Sequence, residues 1–210
     1  MKVSRLVIIA TLFLAIDAFS AEVTVRDLRR GEIPSGVSVV GELVRALTWT
    51  DSDGKRLVVF DANAREDGAG RHKDIRVVGY KLEGSVYKEE WRVRDWVRNC
   101  PVDLVAYFER DSIEVTDLDR DGLSEISFVY RTACRGGMDF IDQRLVLIEA
   151  GKKYIIRGAT ELKGVSEITG RDIYDGPMVV DKPFNGAPSS FLKYSIKKWN
   201  EFRAPRMGGE

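Results

Sequence analysis

The sequence predicts a mainly β fold, an antiparallel meander that is sandwich-like or partial-propeller-like, with a C-terminal helix. Three observations carry this. Between residues 37 and 160, β-branched and aromatic side chains come in short runs punctuated by Gly and Asp, and helical periodicity is scarce. Asp-Gly and Gly turns recur at strand-length intervals along the same stretch. After Pro188 the pattern changes, and Leu192, Ile196 and Trp199 fall at the i, i+4, i+7 spacing of a helix with one apolar face. No repeat of fixed period is visible, which speaks against a complete propeller.

The elements follow in chain order. Residues 1–20 read as a secretory signal peptide: Lys2 and Arg5 give a basic start, residues 6–16 are uncharged and apolar, and Ala18 and Ser20 offer small side chains at a cleavage site. That apolar run is about eleven residues, whereas a spanning helix takes roughly twenty, so export and removal are expected rather than an anchor. No Cys follows it, so a lipid-attached form is not expected. The expected location is periplasmic or secreted.

Residues 21–203 are expected to form a single β-rich domain, since no Pro/Ser-rich linker interrupts them. The runs 37–49 and 55–61 flank Asp51-Ser52-Asp53-Gly54 and predict a hairpin. Residues 62–73 are polar and contain Gly, which predicts an exposed loop. Runs 74–82 and 85–97 form the next pair, with Trp91, Val93 and Asp95 on one face. Five further runs, 102–109, 112–116, 125–133, 144–149 and 153–159, continue the meander. Residues 163–187 are irregular and predict a covering loop, Ser189 is the expected helix cap, and Lys193, Lys197 and Lys198 fall off the apolar stripe. Residues 204–210 are expected to be a disordered tail.

Charge is balanced. Removing residues 1–20 takes Lys2, Arg5 and Asp17 from 33 basic and 33 acidic side chains, leaving a formal charge of about −1. That balance argues against a nucleic-acid partner, which selects for a basic excess. The two cysteines, Cys100 and Cys134, would enter an oxidising compartment where a disulfide is permitted. Geometry sets a condition: three intervening strands would leave the sulfurs at opposite ends of the sheet, whereas bridged Cα atoms lie within about 7 Å. A bridge and two buried thiols both remain open.

The most specific motif is Asp117-Leu118-Asp119-Arg120-Asp121-Gly122-Leu123-Ser124-Glu125, with carboxylates at loop positions 1, 3, 5 and 9 and Gly at 6. Calcium takes six to eight oxygen ligands, and Gly allows the bend that turns successive side chains inward. Asp117, Asp119, Asp121 and Glu125 would ligate through side chains and Leu123 through its carbonyl. Position 12 is Phe128 rather than the bidentate Glu of an EF-hand, and both flanks have strand character, so a strand-loop-strand calcium site is expected. The alternative is a solvated Asp/Gly turn that binds nothing.

Several segments together resemble a family of exported bacterial proteins loosely named for surface polysaccharide biosynthesis. They are Asn99-Cys100-Pro101-Val102-Asp103-Leu104, the Thr116 to Gly122 run with Glu125, Tyr130 to Cys134, Lys153-Tyr154 with Arg157-Gly158, the Trp49-Thr50-Asp51 turn and Trp199. The resemblance implies a link to the cell envelope and no particular activity. One departure stands out: an acidic residue and a Ser-Pro step would be expected after the second cysteine, where this chain has Arg135-Gly136-Gly137-Met138-Asp139.

Signals for catalysis are sparse. The single histidine, His72, sits between Arg71 and Lys73 and is expected to be exposed. No GxSxG elbow occurs, a serine triad or a cysteine nucleophile would have to recruit His72, and one histidine is thin for a zinc hydrolase. A carboxylate pair drawn from Asp95, Asp103, Asp139 and Asp142 could hydrolyse a glycoside. Tyr87, Trp91, Trp96, Tyr107 and Tyr130 could offer a stacking face for sugars or could be core. The expected function is therefore a non-enzymatic accessory protein of the envelope held by calcium, contacting envelope polysaccharide or proteins. A carbohydrate-binding module and a carboxylate-pair hydrolase are the alternatives.

Overall fold

A computed structural model describes residues 23–137, 139–163 and 173–204. The expected signal peptide, residues 164–172 of the expected covering loop and all but the first residue of the expected tail lie outside the described residues. Five strands form one antiparallel sheet in sequential order: β1 (Arg26–Asp27), β2 (Glu42–Asp51), β3 (Gly54–Asp67), β4 (Gly70–Glu83) and β5 (Val86–Cys100). A second sheet follows as β6 (Asp103–Thr116), β7 (Glu125–Arg135), β8 (Asp142–Glu149) and β9 (Lys152–Ala159). A short ribbon, β10 (Leu162–Lys163) with β11 (Ile173–Tyr174), comes next, then β12 (Met178–Val180), which pairs with the outer edge of β9. Helix α1 (Ser189–Phe202) closes the described chain.

The fold is thus mainly β with a C-terminal helix, and its two sheets share one core. Strand alternation puts Leu47, Phe60, Val77 and Trp91 of the first sheet against Phe108, Phe128, Tyr130 and Val146 of the second. Phe60 meets Phe108 and Phe128 edge to face, each at 5.2 Å between ring centres. Burying a side chain of this size contributes roughly 1.5–3 kcal/mol. Gly79 is needed here because a Cβ would lie 2.1 Å from the Trp91 ring.

Both outer faces are partly covered. On the second sheet Val129, Leu145, Leu147 and Ile156 receive Phe191, Trp199 and Phe202 of α1. On the first sheet Leu57, Val59 and Val78 receive Ile33, Val37 and Val39, so residues 37–39 cross the sheet and the strand expected at 37–49 begins at Glu42. Ser189 makes no cap, since Pro188 occupies the N-cap position without a side-chain bond. Lys198 also departs from expectation: it is buried, and its Nζ donates to the Ser112 carbonyl, the Ser127 hydroxyl and Glu114 Oε2, each at 2.7 Å.

Two further differences have clear physical causes. Residues 62–73 are not a loop but the far half of the β3–β4 hairpin, paired residue by residue from Ala62↔Ile75 to Asp67↔Gly70. Their polarity reflects position: β2 leaves β3 at Ala62, and beyond it exposed side chains dominate β3. Runs 102–109 and 112–116 are one strand, β6, carrying a bulge between Glu109 and Glu114. Ser112 fills that bulge, donating from its hydroxyl to the Glu109 carbonyl and accepting from the Val129 N–H. Only one hairpin therefore separates the cysteines, and Leu104↔Cys134 pairing returns the second to the level of the first. Cys100 and Cys134 form a disulfide with Cα atoms 5.6 Å apart, joining β5 of one sheet to β7 of the other.

Candidate metal centre

The β6–β7 connection is short, with Thr116 and Glu125 paired at its base, so residues 117–124 must fold tightly. Arg120 (φ 63°) and Gly122 (φ 86°) take left-handed backbone, which glycine adopts freely. The Asp121 N–H donates to Asp119 Oδ1 at 3.4 Å and the Leu123 N–H to Asp121 Oδ1 at 2.7 Å, so each of these carboxylates spends one oxygen on folding the loop. Half-buried Leu123 is held in place by that second bond. The loop also docks on the β2–β3 turn. The Ser52 N–H donates to the Gly122 carbonyl at 2.9 Å, and the Ser124 N–H to buried Asp51 at 3.4 Å.

Carboxylate oxygens converge inside this frame. Those of Asp117, Asp119 and Glu125 lie within 4.8 Å of one another, as do those of Asp119, Asp121 and Glu149, so Asp119 joins the two groups. Glu125 is fully buried; its Oε2 accepts from the Thr116 hydroxyl at 3.0 Å and the Leu118 N–H at 2.9 Å. Its Oε1, together with Asp117 Oδ1 and Glu149 Oε1, is buried and has no hydrogen-bond donor while the carboxylates are ionised; only a proton shared between Glu125 and Glu149 would supply one from within the cluster. Such oxygens are costly to bury unless a donor or a cation satisfies them.

Burial pushes the Glu125 carboxyl up to about 7, against the pull of the Leu118 N–H and the Thr116 hydroxyl. Glu149 is raised too, first by burial and then by the charges of Asp119 and Asp121. The acidic cluster can hold a metal ion, and a cation would offset both the repulsion and the desolvation. Glu149 has no place in the sequence motif. It reaches the site because β8 pairs with β7 in the register Ile126↔Ile148, which sets Glu149 beside Glu125.

The remaining candidates are dispersed. Asp95 pairs with Arg144 at 3.2 Å, while Asp103, Asp139 and Asp142 are exposed at the start of β6, in the β7–β8 connection and at the start of β8. His72 is buried rather than exposed: its Nε2 lies 3.0 Å from Asp67, and its Nδ1 accepts from the Asn99 N–H at 3.4 Å. Its place in a long hairpin explains the difference. Both cysteines are consumed by the disulfide. Among the five aromatics, Trp91 and Tyr130 are core, Tyr87 and Tyr107 are half-buried, and Trp96 is exposed. No family model matches the chain, and no curated protein or solved structure matches it either.

Proposed function

We propose that this chain is an exported, non-enzymatic accessory protein of the bacterial cell envelope whose fold is held by calcium, with surface polysaccharide as its link to the envelope. The observation that carries the calcium reading is the set of three unpartnered buried oxygens, on Asp117, Glu125 and Glu149, converging with Asp119. All donors are hard oxygens, which suit calcium or magnesium and not zinc. Calcium is preferred because the shell is built from several carboxylates, whereas magnesium keeps most of its waters and takes only one or two. Asp117, Asp119, Asp121 and Glu125 ligate through side chains, Leu123 through its carbonyl, and Glu149 completes the shell from β8. The disulfide supports the exported location, since such bonds persist in oxidising compartments. The envelope role rests on the family resemblance.

Titration calorimetry and thermal melting test the cation. Calcium should bind and raise the melting temperature, by an amount equivalent to about 2.7 kcal/mol at a hundredfold excess over Kd. Asp119→Ala should abolish both effects because Asp119 serves both halves of the cluster. Identical melting with calcium and with chelator would reduce the loop to a turn. Deleting the gene and finding an unchanged envelope polysaccharide profile would remove the envelope role.

A further inference from the structure

The outer face of the first sheet is divided. Its half near Leu57, Val59 and Val78 is covered by the N-terminal segment; its other half is polar, with Ser38 and Val40 of that segment bonding Arg76 and Asp61 and the β5 side left exposed. There the cross-strand rows Asp61↔Arg76↔Arg94 and Asn63↔Asp74↔Trp96 line up on one face of β3, β4 and β5. A groove of about 390 Å³ runs over them, lined by five arginines (65, 76, 92, 94 and 98) against two carboxylates, Asp61 and Asp74. That volume is within the range of small-ligand sites, roughly 300–1,000 Å³.

Most of these arginines are already oriented. Arg76 is locked onto Asp61 and donates to the Ser38 carbonyl at 2.9 Å. Arg98 pairs with Asp74, and Arg65 approaches the same carboxylate at 3.8 Å. Arg92 pairs with Glu89. Arg94 lies exposed at the β5 end of its row, on the edge strand of the sheet, with no ion-pair partner among the described residues. The next outward residue on β5 is Trp96, beside the groove rather than in its lining, 55% exposed, with the Arg98 guanidinium 5.7 Å from its ring centre. From Arg94 to Trp96 the strand advances about 7 Å, so the surface offers an unpaired cation beside a flat apolar ring, one face of which Arg98 covers.

We propose that this groove binds an acidic polysaccharide, with Arg94 and its neighbours taking carboxylates and Trp96 stacking on the apolar face of a sugar ring. Arginine's planar fork matches a carboxylate in two hydrogen bonds. An exposed Trp beside it suits a ligand that alternates charge with apolar ring faces, which an acidic peptide does not. Asp74, partly exposed in the groove, can accept from a sugar hydroxyl, and the chain's balance of 33 basic and 33 acidic residues disfavours nucleic acid. The site shares no residue with the metal centre and stands without it.

The test is calorimetry of the disulfide-intact protein with calcium against short uronate oligomers from galacturonate, alginate and hyaluronate chains, with neutral dextran, polyglutamate and single-stranded DNA alongside. At least one uronate series should bind and dextran should not. Arg94→Glu should weaken that binding about tenfold or more, the loss of one charge-assisted contact. Trp96→Ala should weaken uronate binding and leave any polyglutamate binding unchanged; both positions are exposed, and matching melting curves would show the variants folded. Failure of every uronate oligomer to bind overturns the proposal. Equal binding of polyglutamate or DNA, insensitive to Trp96→Ala, overturns it as well. Asp119→Ala should lose calcium binding and retain uronate binding, so wild-type protein that binds uronate but no calcium would count against the cation reading and not against the groove.

Discussion

At the scale of single residues, Glu125 carries the sharpest electrostatic consequence. Its carboxyl titrates near 7 in the cation-free fold against an ordinary value of 4.5, so the folded state holds the proton more tightly than the unfolded chain does. The stability it contributes is therefore fully present below about 4.5 and is lost as pH rises through about 7. In chelator, the melting temperature should fall between those limits; with saturating calcium the fall should vanish, because the cation favours the ionised form. A chelated protein whose melting temperature rises steadily over that window would contradict this account. Glu149→Gln gives a second prediction of opposite signs. Removing the half-buried charge relieves repulsion from Asp119 and Asp121, so the chelated protein should melt higher, while calcium binding weakens about tenfold or more. A variant weaker in both conditions would mean that Glu149 acts only through packing. The Asp117 to Glu125 carboxylates were legible from spacing alone. Glu149 was not, because only the β7–β8 register brings it near.

Among the elements, α1 shows what periodicity reveals and what it hides. The spacing of Leu192, Ile196 and Trp199 located the helix, yet the deepest stripe is Phe191, Ser195, Lys198, Trp199 and Phe202. Lys198 is invisible to a hydrophobic pattern because its burial depends on acceptors from β6 and β7. The buried ammonium is pushed down by desolvation, partly offset by Glu114. Lys198→Met keeps the apolar stem and removes the donor, leaving the Ser112 carbonyl without it. The expected cost is about 2 kcal/mol, read as a lower urea midpoint with an unchanged slope. An unchanged midpoint would show that the contacts of Phe191, Trp199 and Phe202 hold the helix unaided. The β3–β4 hairpin was hidden for the converse reason: its far half is paired through the backbone but exposes polar side chains, so composition resembled a loop.

At the scale of the whole molecule, the two sheets are fastened at opposite ends of the β6–β7 hairpin. At one end the disulfide ties β5 to β7 near Leu104; at the other, the acidic loop after Thr116 docks on the β2–β3 turn through Ser52 and Asp51. Neither fastening could be read from sequence as joining two sheets, because the partition of strands between sheets only emerges once Phe60, Phe108 and Phe128 form a common core. The disulfide closes a span of 34 residues, which corresponds to about 3–4 kcal/mol of chain-entropy stabilisation. Two separate fastenings imply separable local openings. Chelation should speed amide exchange at Ser52, Leu118, Leu123 and Ser124, whose N–H groups are bonded in or onto the loop, and leave Asn99 and its neighbours protected. Reduction should do the reverse, exposing the Asn99 to Leu104 end first. If either treatment instead loosens both ends equally, the sandwich opens as one unit, and the loop and the disulfide would have to be treated as parts of a single cooperative structure.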